Sequence, residues 1–494
     1  MPAKRSLTLA LALLLVAAMP VRAATFPTVT VVDVINPGTA NSGAMWSTGA
    51  LGAYVYFGAE TAAEGYELWR TDGSEAGTTL VKNLYPGPNG SNPYRFTAMG
   101  DYLFFSADDG VHGYELWRTD GTAAGTILVK DINTSGDAVL GSFGVLGGYL
   151  YFNATSVAEG DELWRTDGTT LGTTLVKDIN TGAGSSDISG FTEFEGRLYF
   201  SADDGSTGGE LWRTDGTTLG TTLVEDIYSG TGSSLPREAT LFGNYLYFQA
   251  NDGANGTELW RTDGTSLGTT LIKDIHETNA GSPTGFTLLG DYLYFSADTS
   301  ANGYELWRTN GTTAGTNIVA DIYVGTNASF PYELTAFGGH LYFGADDGFA
   351  GYELWRYDGA LVQRFADLIT GPDGSYVATL KVVGGGLYGT FYNGAQNLLF
   401  RVDGETDLIQ TVAVPGTNST IGCMCDPITV NGQRVYLAMY SDEVGLEFAF
   451  VDEPSLVLPE TSTAGSPWST VLTVLAALTA AAGVALRRKR LTSN

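Results

Sequence analysis

Histidine and cysteine are almost missing from this chain. Its 494 residues include three histidines, His112, His276 and His340, and two cysteines, Cys423 and Cys425. A zinc-type centre, which draws most of its ligands from these residues, has too few to work with. A disulfide framework is excluded as well. The two cysteines stand in Cys-Met-Cys, a separation at which a mutual bridge is strained, so free thiols and a strained local bridge are the readings left open. There is no Gly-x-Ser-x-Gly elbow and no His-Glu-x-x-His. Acids are plentiful enough to form carboxylate pairs, but no pair is marked as unique. Basic charge is also scarce, with 25 Lys and Arg against 54 Asp and Glu. Seven of the basic residues (Lys4, Arg5, Arg22, Arg487, Arg488, Lys489 and Arg490) lie in terminal segments without acids, so the rest of the chain holds 18 basic and 54 acidic residues, a net charge of −36. Such a surface repels nucleic acid and anionic lipid, and it favours cationic partners, divalent metals among them.

Long apolar runs occur only at the two ends. Residues 1–23 read as a secretory signal: a charged head at Lys4 and Arg5, a short apolar stretch, and small residues that place cleavage after Ala23. Residues 467–486 form an uncharged segment long enough to span a bilayer, and the basic tail 487–494 follows on its cytoplasmic side. Between them, residues 24–457 are expected outside the cytoplasm, with 458–466 as a linker. Leu458, Pro459, Glu460 and Thr461 in that linker resemble the Leu-Pro-x-Thr-Gly sorting motif of bacterial surface proteins, with Ser462 in place of its Gly. The layout of motif, apolar helix and basic tail implies a sorting or processing enzyme as a partner, and membrane attachment through the helix.

Glycine and aromatics are abundant: 66 Gly, with Phe, Trp and Tyr at 12%. That much aromatic area argues against disorder and assigns the glycines to turns. The phrase Glu-Leu-Trp-Arg recurs seven times, at Trp69, Trp117, Trp164, Trp212, Trp260, Trp307 and Trp355, spaced by 47 or 48 residues. A period of that length carrying several short strands signifies an array of small sheets. Residues 149–194 serve as a sample unit. Tyr149-Leu-Tyr-Phe152 has the composition of a buried strand, Asp161 to Thr166 that of a half-buried one, and Asp167-Gly168 marks a hairpin before the strand Thr173 to Ile179. A Gly/Ser-rich connection then leads to a fourth strand over Ile188 to Phe194. The aromatic strand recurs nine times. The chain begins in mid-unit, with strands at Thr28 to Asp33 and Met45 to Leu51, and ends after a second strand near Asp452. The fold expected is all-β: a propeller of eight or nine four-stranded blades, closed by N-terminal strands completing the last blade.

The repeated phrase resembles the bacterial ELWxxDGT-repeat family over roughly residues 27–452. Departures are Ser74 for Thr, Asn310 for Asp, Tyr357 for Thr, and loss of the motif beyond Ala360. The resemblance implies an extracellular propeller and brings no general activity with it.

The seven tryptophans are expected to pack between blades rather than to form a sugar-stacking ring, and the arginines after them to make cross-blade ion pairs with Glu or Asp. The Asp-Gly turns at Asp72, Asp120, Asp167, Asp215 and Asp263 have an adequate structural role. The loops between first and second strands carry acid pairs at Asp108 and Asp109, Asp203 and Asp204, and Asp346 and Asp347, with Asp252 in a fourth. Together with glycine carbonyls these are candidate calcium ligands, although no single loop holds the six to eight oxygens the ion takes. No catalytic residue is singled out, and the irregular residues 357–452 are where a special site is expected. The reading is an exported, surface-tethered binding or structural module for a protein or glycan ligand. Its rivals are a carbohydrate-active hydrolase or lyase and a calcium-dependent adhesin.

Overall fold

The structure, a computed structural model, describes residues 30–31, 35, 47–404, 408–412, 420–421, 434–441 and 445–452. Ala23, Cys423, Cys425, Leu458 to Thr461 and the apolar segment 467–486 lie outside the described residues. Among those described, no helix is long and apolar enough to cross a membrane.

The chain is a β-propeller. The described residues form nine four-stranded antiparallel sheets. Blades 1 to 8 cover 48–82, 94–130, 143–177, 189–225, 237–273, 284–320, 332–366 and 378–412, each laid down in the order A-B-C-D. The A strands of successive blades touch one another, which makes A the inner strand and D the outer. Blade 9 takes Thr420–Ile421, Arg434–Ser441 and Gly445–Asp452 as A, B and C, and Thr30–Val31 supplies its D strand. Thr30 lies opposite Phe450 and Val31 opposite Ala449, so the last sheet is completed from the start of the chain.

The blades are phased differently from the sequence unit. Ser189–Phe194 pairs with Arg197–Asp203, the strand after it, and not with the sheet that ends at Lys177. Phe194 and Arg197 are opposite each other across a two-residue turn, and such a turn forces antiparallel pairing. The Gly/Ser-rich connection before Ser189 is therefore the link between blades. For the same reason Thr48–Leu51 opens blade 1, and a single N-terminal strand, not two, closes the ring.

Burial follows from the sandwiching of each sheet between two others. In blade 2, Leu103, Phe104, Phe105, Ser106 and Ala107 of strand B are all buried, which is why that strand reads as a continuous apolar run. The outer strand Ile127–Lys130 buries Val129 alone. The core lies between blades: Trp164 of blade 3 packs with Phe104, Leu116 and Val129 of blade 2, and Trp212, Trp307 and Trp355 sit equivalently in later gaps. Trp117 packs against Leu68 and Val81 of blade 1, and Trp260 packs against the blade 4–5 core. Trp69 is half-buried.

Four of the seven repeat arginines cross between blades onto carbonyl oxygens rather than carboxylates, and Arg308 reaches the Tyr357 hydroxyl of the next blade at 3.2 Å. Arg70, Arg165, Arg213 and Arg261 donate through Nη1 to the carbonyls of Gly121, Gly216, Gly264 and Gly311 in the Asp-Gly (for Gly311, Asn-Gly) turn of the next blade, at 2.5 to 2.8 Å. Each of Arg70, Arg165 and Arg261 also lies over a tyrosine of its own B strand. A guanidinium held flat on an aromatic face points its fork along the sheet, where the turn carbonyl waits.

The glutamate of the repeat, unremarked in the sequence, has the most demanding position. Glu67, Glu115, Glu162, Glu210, Glu258, Glu305 and Glu353 are all fully buried. Glu210 accepts from the backbone N–H groups of Ile227 (2.9 Å), Tyr228 (3.3 Å) and Ser234 (2.9 Å) and from the Ser234 hydroxyl (2.6 Å). Glu67 and Glu305 bind the same four donors in their own links. The carboxylate thus ties down the connection from each outer strand to the next inner one, whose backbone groups would otherwise be buried unpaired.

The link ends in a constrained backbone. Asn92, Val139, Asp187, Leu235, Ser282, Phe330 and Tyr376 occupy one repeat position, and all have φ between 43° and 48°. A β-branched residue is least suited to that region. Val139 is 59% exposed, so little packing depends on it. Val139→Asn is expected to stabilise the protein by about 1 kcal/mol, read as a higher urea midpoint; an unchanged or lower midpoint would show that the strain is relieved elsewhere.

Candidate functional site

Within each blade the A–B and C–D turns lie at one end of the ring, and the B–C loops and interblade links lie at the other. The acid-pair loops are B–C loops, and their carboxylates serve the loops themselves. Asp108, Asp203 and Asp346 each accept from the N–H of the glycine two residues on, at 2.7 Å. Asp109 accepts from the N–H groups of Val111 and His112 and meets His112 Nδ1 at 2.8 Å. Asp204 binds the backbone N–H and hydroxyl groups of Ser206 and Thr207, Asp252 binds Ala254 and Asn255, and Asp347 binds the N–H groups of Phe349 and Ala350. Asp109, Asp204 and Asp252 are partly buried, which by itself raises a carboxyl; the hydrogen bonds outweigh it and hold all three below the ordinary range. Among the described residues, no three His, Cys, Asp or Glu side chains converge where a metal ion could sit.

The Asp-Gly turns show the same economy. Asp120 Oδ1 accepts from the N–H and hydroxyl of Thr122, and Asn310 Oδ1 binds Thr312 identically, so the turn needs an oxygen and not a charge.

The central channel holds a cavity of about 580 Å³ beside the A strands of blades 4 to 8. Five of these strands and that of blade 2 carry a bulge, and the residue at the bulge has positive φ: Arg95, Gly190, Glu238, Gly285, Glu333 and Thr379. Glu238 and Glu333 are thus two non-repeated carboxylates on one channel. Each reaches sideways to the inner strand of the next blade: Glu238 Oε2 accepts from Gly285 N–H at 2.7 Å and Glu333 Oε2 from Leu380 N–H at 3.2 Å. They act as staples between neighbouring inner strands.

The cleft that breaks the symmetry is on the B–C loop end, at blades 6 to 8. Three repeat positions become aromatic together there and nowhere else among the described residues. Tyr304 and Tyr352 precede the Glu-Leu-Trp-Arg phrase, as Tyr66 and Tyr114 do in blades 1 and 2, whereas blades 3, 4 and 5 have Asp161, Gly209 and Thr257. Phe330 and Tyr376 hold the constrained link position, where earlier links have Asn92, Val139, Asp187, Leu235 and Ser282. Tyr332 opens strand A, as the aromatic Tyr94 and Phe143 do in blades 2 and 3, whereas blades 4 to 6 have Ser189, Arg237 and Thr284. Phe330 lies on Tyr304 with centroids 5.3 Å apart and planes 22° from parallel. Tyr376 lies on Tyr352 at 5.6 Å and 30°, and Tyr332 meets Tyr352 edge-on at 5.8 Å. Gly344 makes room for Tyr332: a Cβ there would come within 2.5 Å of the ring. The cleft has a volume of about 570 Å³, with Pro331, Val377 and Ala378 also lining it. Burial pushes the hydroxyls of Tyr332 and Tyr352 above the usual phenol range, so both are neutral donors and acceptors at any physiological pH.

No family model matches this chain, and no curated protein does. Solved structures similar to it include a prolyl endopeptidase (12% identity, 71% of this chain and 54% of that one, TM-score 0.41). They also include a puromycin hydrolase (14% identity, 72% and 59%, TM-score 0.39) and prolyl oligopeptidase B from Galerina marginata (12% identity, 73% and 56%, TM-score 0.40). The chain spans little more than half the length of these proteins.

The sequence directed attention to the acid-pair loops and to the irregular stretch after residue 357. The cleft instead gathers residues between 284 and 378, of which Tyr376, Val377 and Ala378 fall in that stretch. Its signal was present as a departure from the repeat at the link position, where Phe330 and Tyr376 replace residues that are polar or aliphatic in the other described links.

Proposed function

We propose that this protein is an exported, surface-tethered propeller that acts as a binding module, with the aromatic cleft of blades 6 to 8 as its ligand site. The observation that carries the reading is the asymmetry itself. The edge-on pair Tyr332–Tyr352 has a counterpart in Tyr94–Tyr114 of blade 2, but only here among the described links does the exposed link residue become aromatic, at Phe330 and Tyr376, and stack on the ring beside it. Exposed aromatic clusters of this kind are costly to leave in water and mark recognition sites. The secretory signal and the terminal anchor, read from residues 1–23 and 467–490, belong to the same proposal.

The test is a mixed array of glycans and peptides probed with the full chain in detergent, beside the double variant Phe330→Ala/Tyr376→Ala. Retention of some class of ligand by the parent chain, reduced at least ten-fold in the variant, is expected. Equal retention by both proteins, or none by either, would sink the reading.

A further inference from the structure

The chemistry of the cleft narrows its ligand. No charged or amide side chain lines it: the polar atoms are the hydroxyls of Thr284, Ser296 and the four tyrosines. Among the described residues no hydrogen bond engages the hydroxyls of Tyr304, Tyr332, Tyr352 or Tyr376. A hydroxyl donates and accepts equally well, which matches a ligand whose own groups do the same. An extended peptide also presents backbone N–H groups, whose strong acceptors are carbonyl and carboxylate oxygens, and no lining side chain carries one. An organic cation would gain most from a carboxylate in the wall, and there is none. An acidic polymer meets a chain whose non-terminal part carries a net charge of −36.

What remains is a neutral molecule with apolar faces and a rim of hydroxyls. Phe330 and Tyr376 are 48% and 55% exposed, each resting on a second ring that fixes its plane. Both are presented by a link whose left-handed backbone is set by the fold and not by the aromatic residue, since all seven links share it. The rings are thus preorganised, and a ligand that stacks on them orders little that was mobile.

Resting on the binding-module reading above, we infer that the cleft takes an uncharged pyranose chain, stacking sugar faces on Phe330 and Tyr376 while the tyrosine hydroxyls meet the sugar rim. The test uses the full chain and three probes in calorimetric titration: cellohexaose and maltohexaose as neutral chains of β and α linkage, and a ten-residue proline-rich peptide. One neutral hexasaccharide is expected to bind, with affinity falling at least ten-fold in Phe330→Ala and in Tyr376→Ala. Phe349→Ala, at the exposed tip of a B–C loop outside the cleft, is expected to leave it unchanged. Both variants remove side chains that are half in water, so folding is retained, and circular dichroism verifies this.

Binding of the peptide but of neither sugar, lost in the same two variants, overturns the sugar assignment and leaves the binding module standing. Sugar binding that ignores both variants overturns the assignment to this cleft. Binding of no probe overturns the pyranose inference, and the mixed array then decides the module reading separately.

Discussion

Replacing Glu210 with alanine is expected to destabilise the propeller by about 4 kcal/mol, since a buried hydrogen-bonded charge is removed and its donors are stranded. Three backbone N–H groups and the Ser234 hydroxyl lose their acceptor together, in a fully buried place that water does not reach. The link between blades 4 and 5 is held by this group, so the loss falls on the joint and not on either sheet. Urea unfolding followed by far-UV circular dichroism measures it. Glu193→Ala, an exposed carboxylate on the inner strand of blade 4, serves as the control and should change stability by less than about 0.5 kcal/mol. Equal midpoints for the two variants would refute the clamp.

The second large effect is with pH. Burial is the leading cause that pushes the carboxyls of Glu115, Glu162 and Glu258 up to about 7, against backbone hydrogen bonds that pull the other way. The folded chain therefore keeps these protons after the unfolded chain, with an ordinary value near 4.5, has released them. The stabilisation is complete below pH 4.5 and is lost as pH rises through 7. From pH 5 to pH 8 it amounts to roughly 2 kcal/mol for each group, at about 1.4 kcal/mol per pH unit of separation.

The turn aspartates act in the opposite sense. Hydrogen bonds from the threonine two residues on hold Asp120, Asp167, Asp215 and Asp263 below 3.8, so their contribution is present above that value and lost as pH falls through their folded values. Thermal melts from pH 3 to 9 should trace a maximum between about pH 4.5 and 6. Rising stability from pH 5 to 8 would contradict it.

The three glutamates share a local cause. The link residue that answers the clamp is serine at Ser91, Ser234, Ser329 and Ser375, and its hydroxyl donates to the glutamate. Ala138 and Gly281 hold the equivalent places opposite Glu115 and Glu258, as the backbone bonds Thr155 N–H to Ala138 C=O and Asp298 N–H to Gly281 C=O show. In the link of Glu162, the Ser186 hydroxyl donates to the Asp161 carbonyl at 2.9 Å, and its pull on the carboxylate ranks behind the backbone bonds from Ile179 and Asn180, whereas the serine bond leads at Glu210 and Glu305. A missing or diverted donor leaves burial less opposed. Ala138→Ser is accordingly expected to flatten part of the alkaline loss.

The repeat metre, the four short strands, the Asp-Gly turns and the complementary chain ends were legible because each is local. A strand buried on both faces must be apolar throughout, a hairpin must supply a residue that tolerates positive φ, and a ring without edges needs its last sheet completed. Tryptophan was conspicuous by its rarity elsewhere. Glutamate recurs in the same phrase just as faithfully, but it is common in the chain, and its partner lies 24 residues away in a link that varies. A recurring charge inside an otherwise apolar strand, with serine at a fixed distance, was the signal that went unread. The arginine acceptors were missed for a related reason: a sequence displays side-chain charges and hides carbonyl oxygens.

The phase of the blades and the cleft were decided only by the tertiary structure. Whether a strand pairs forward or backward depends on which of two glycine-rich connections is the tight turn, and composition alone does not distinguish them. The cleft draws on three positions in adjoining blades, separated by up to 72 residues between Tyr304 and Tyr376. Stacking is a short-range interaction that exists only once the ring has brought those positions within about 6 Å. By itself the sequence determined an array of four-stranded sheets with acidic, self-satisfied loops. Folding of the ring determined which of its aromatic residues stack on one another at the surface.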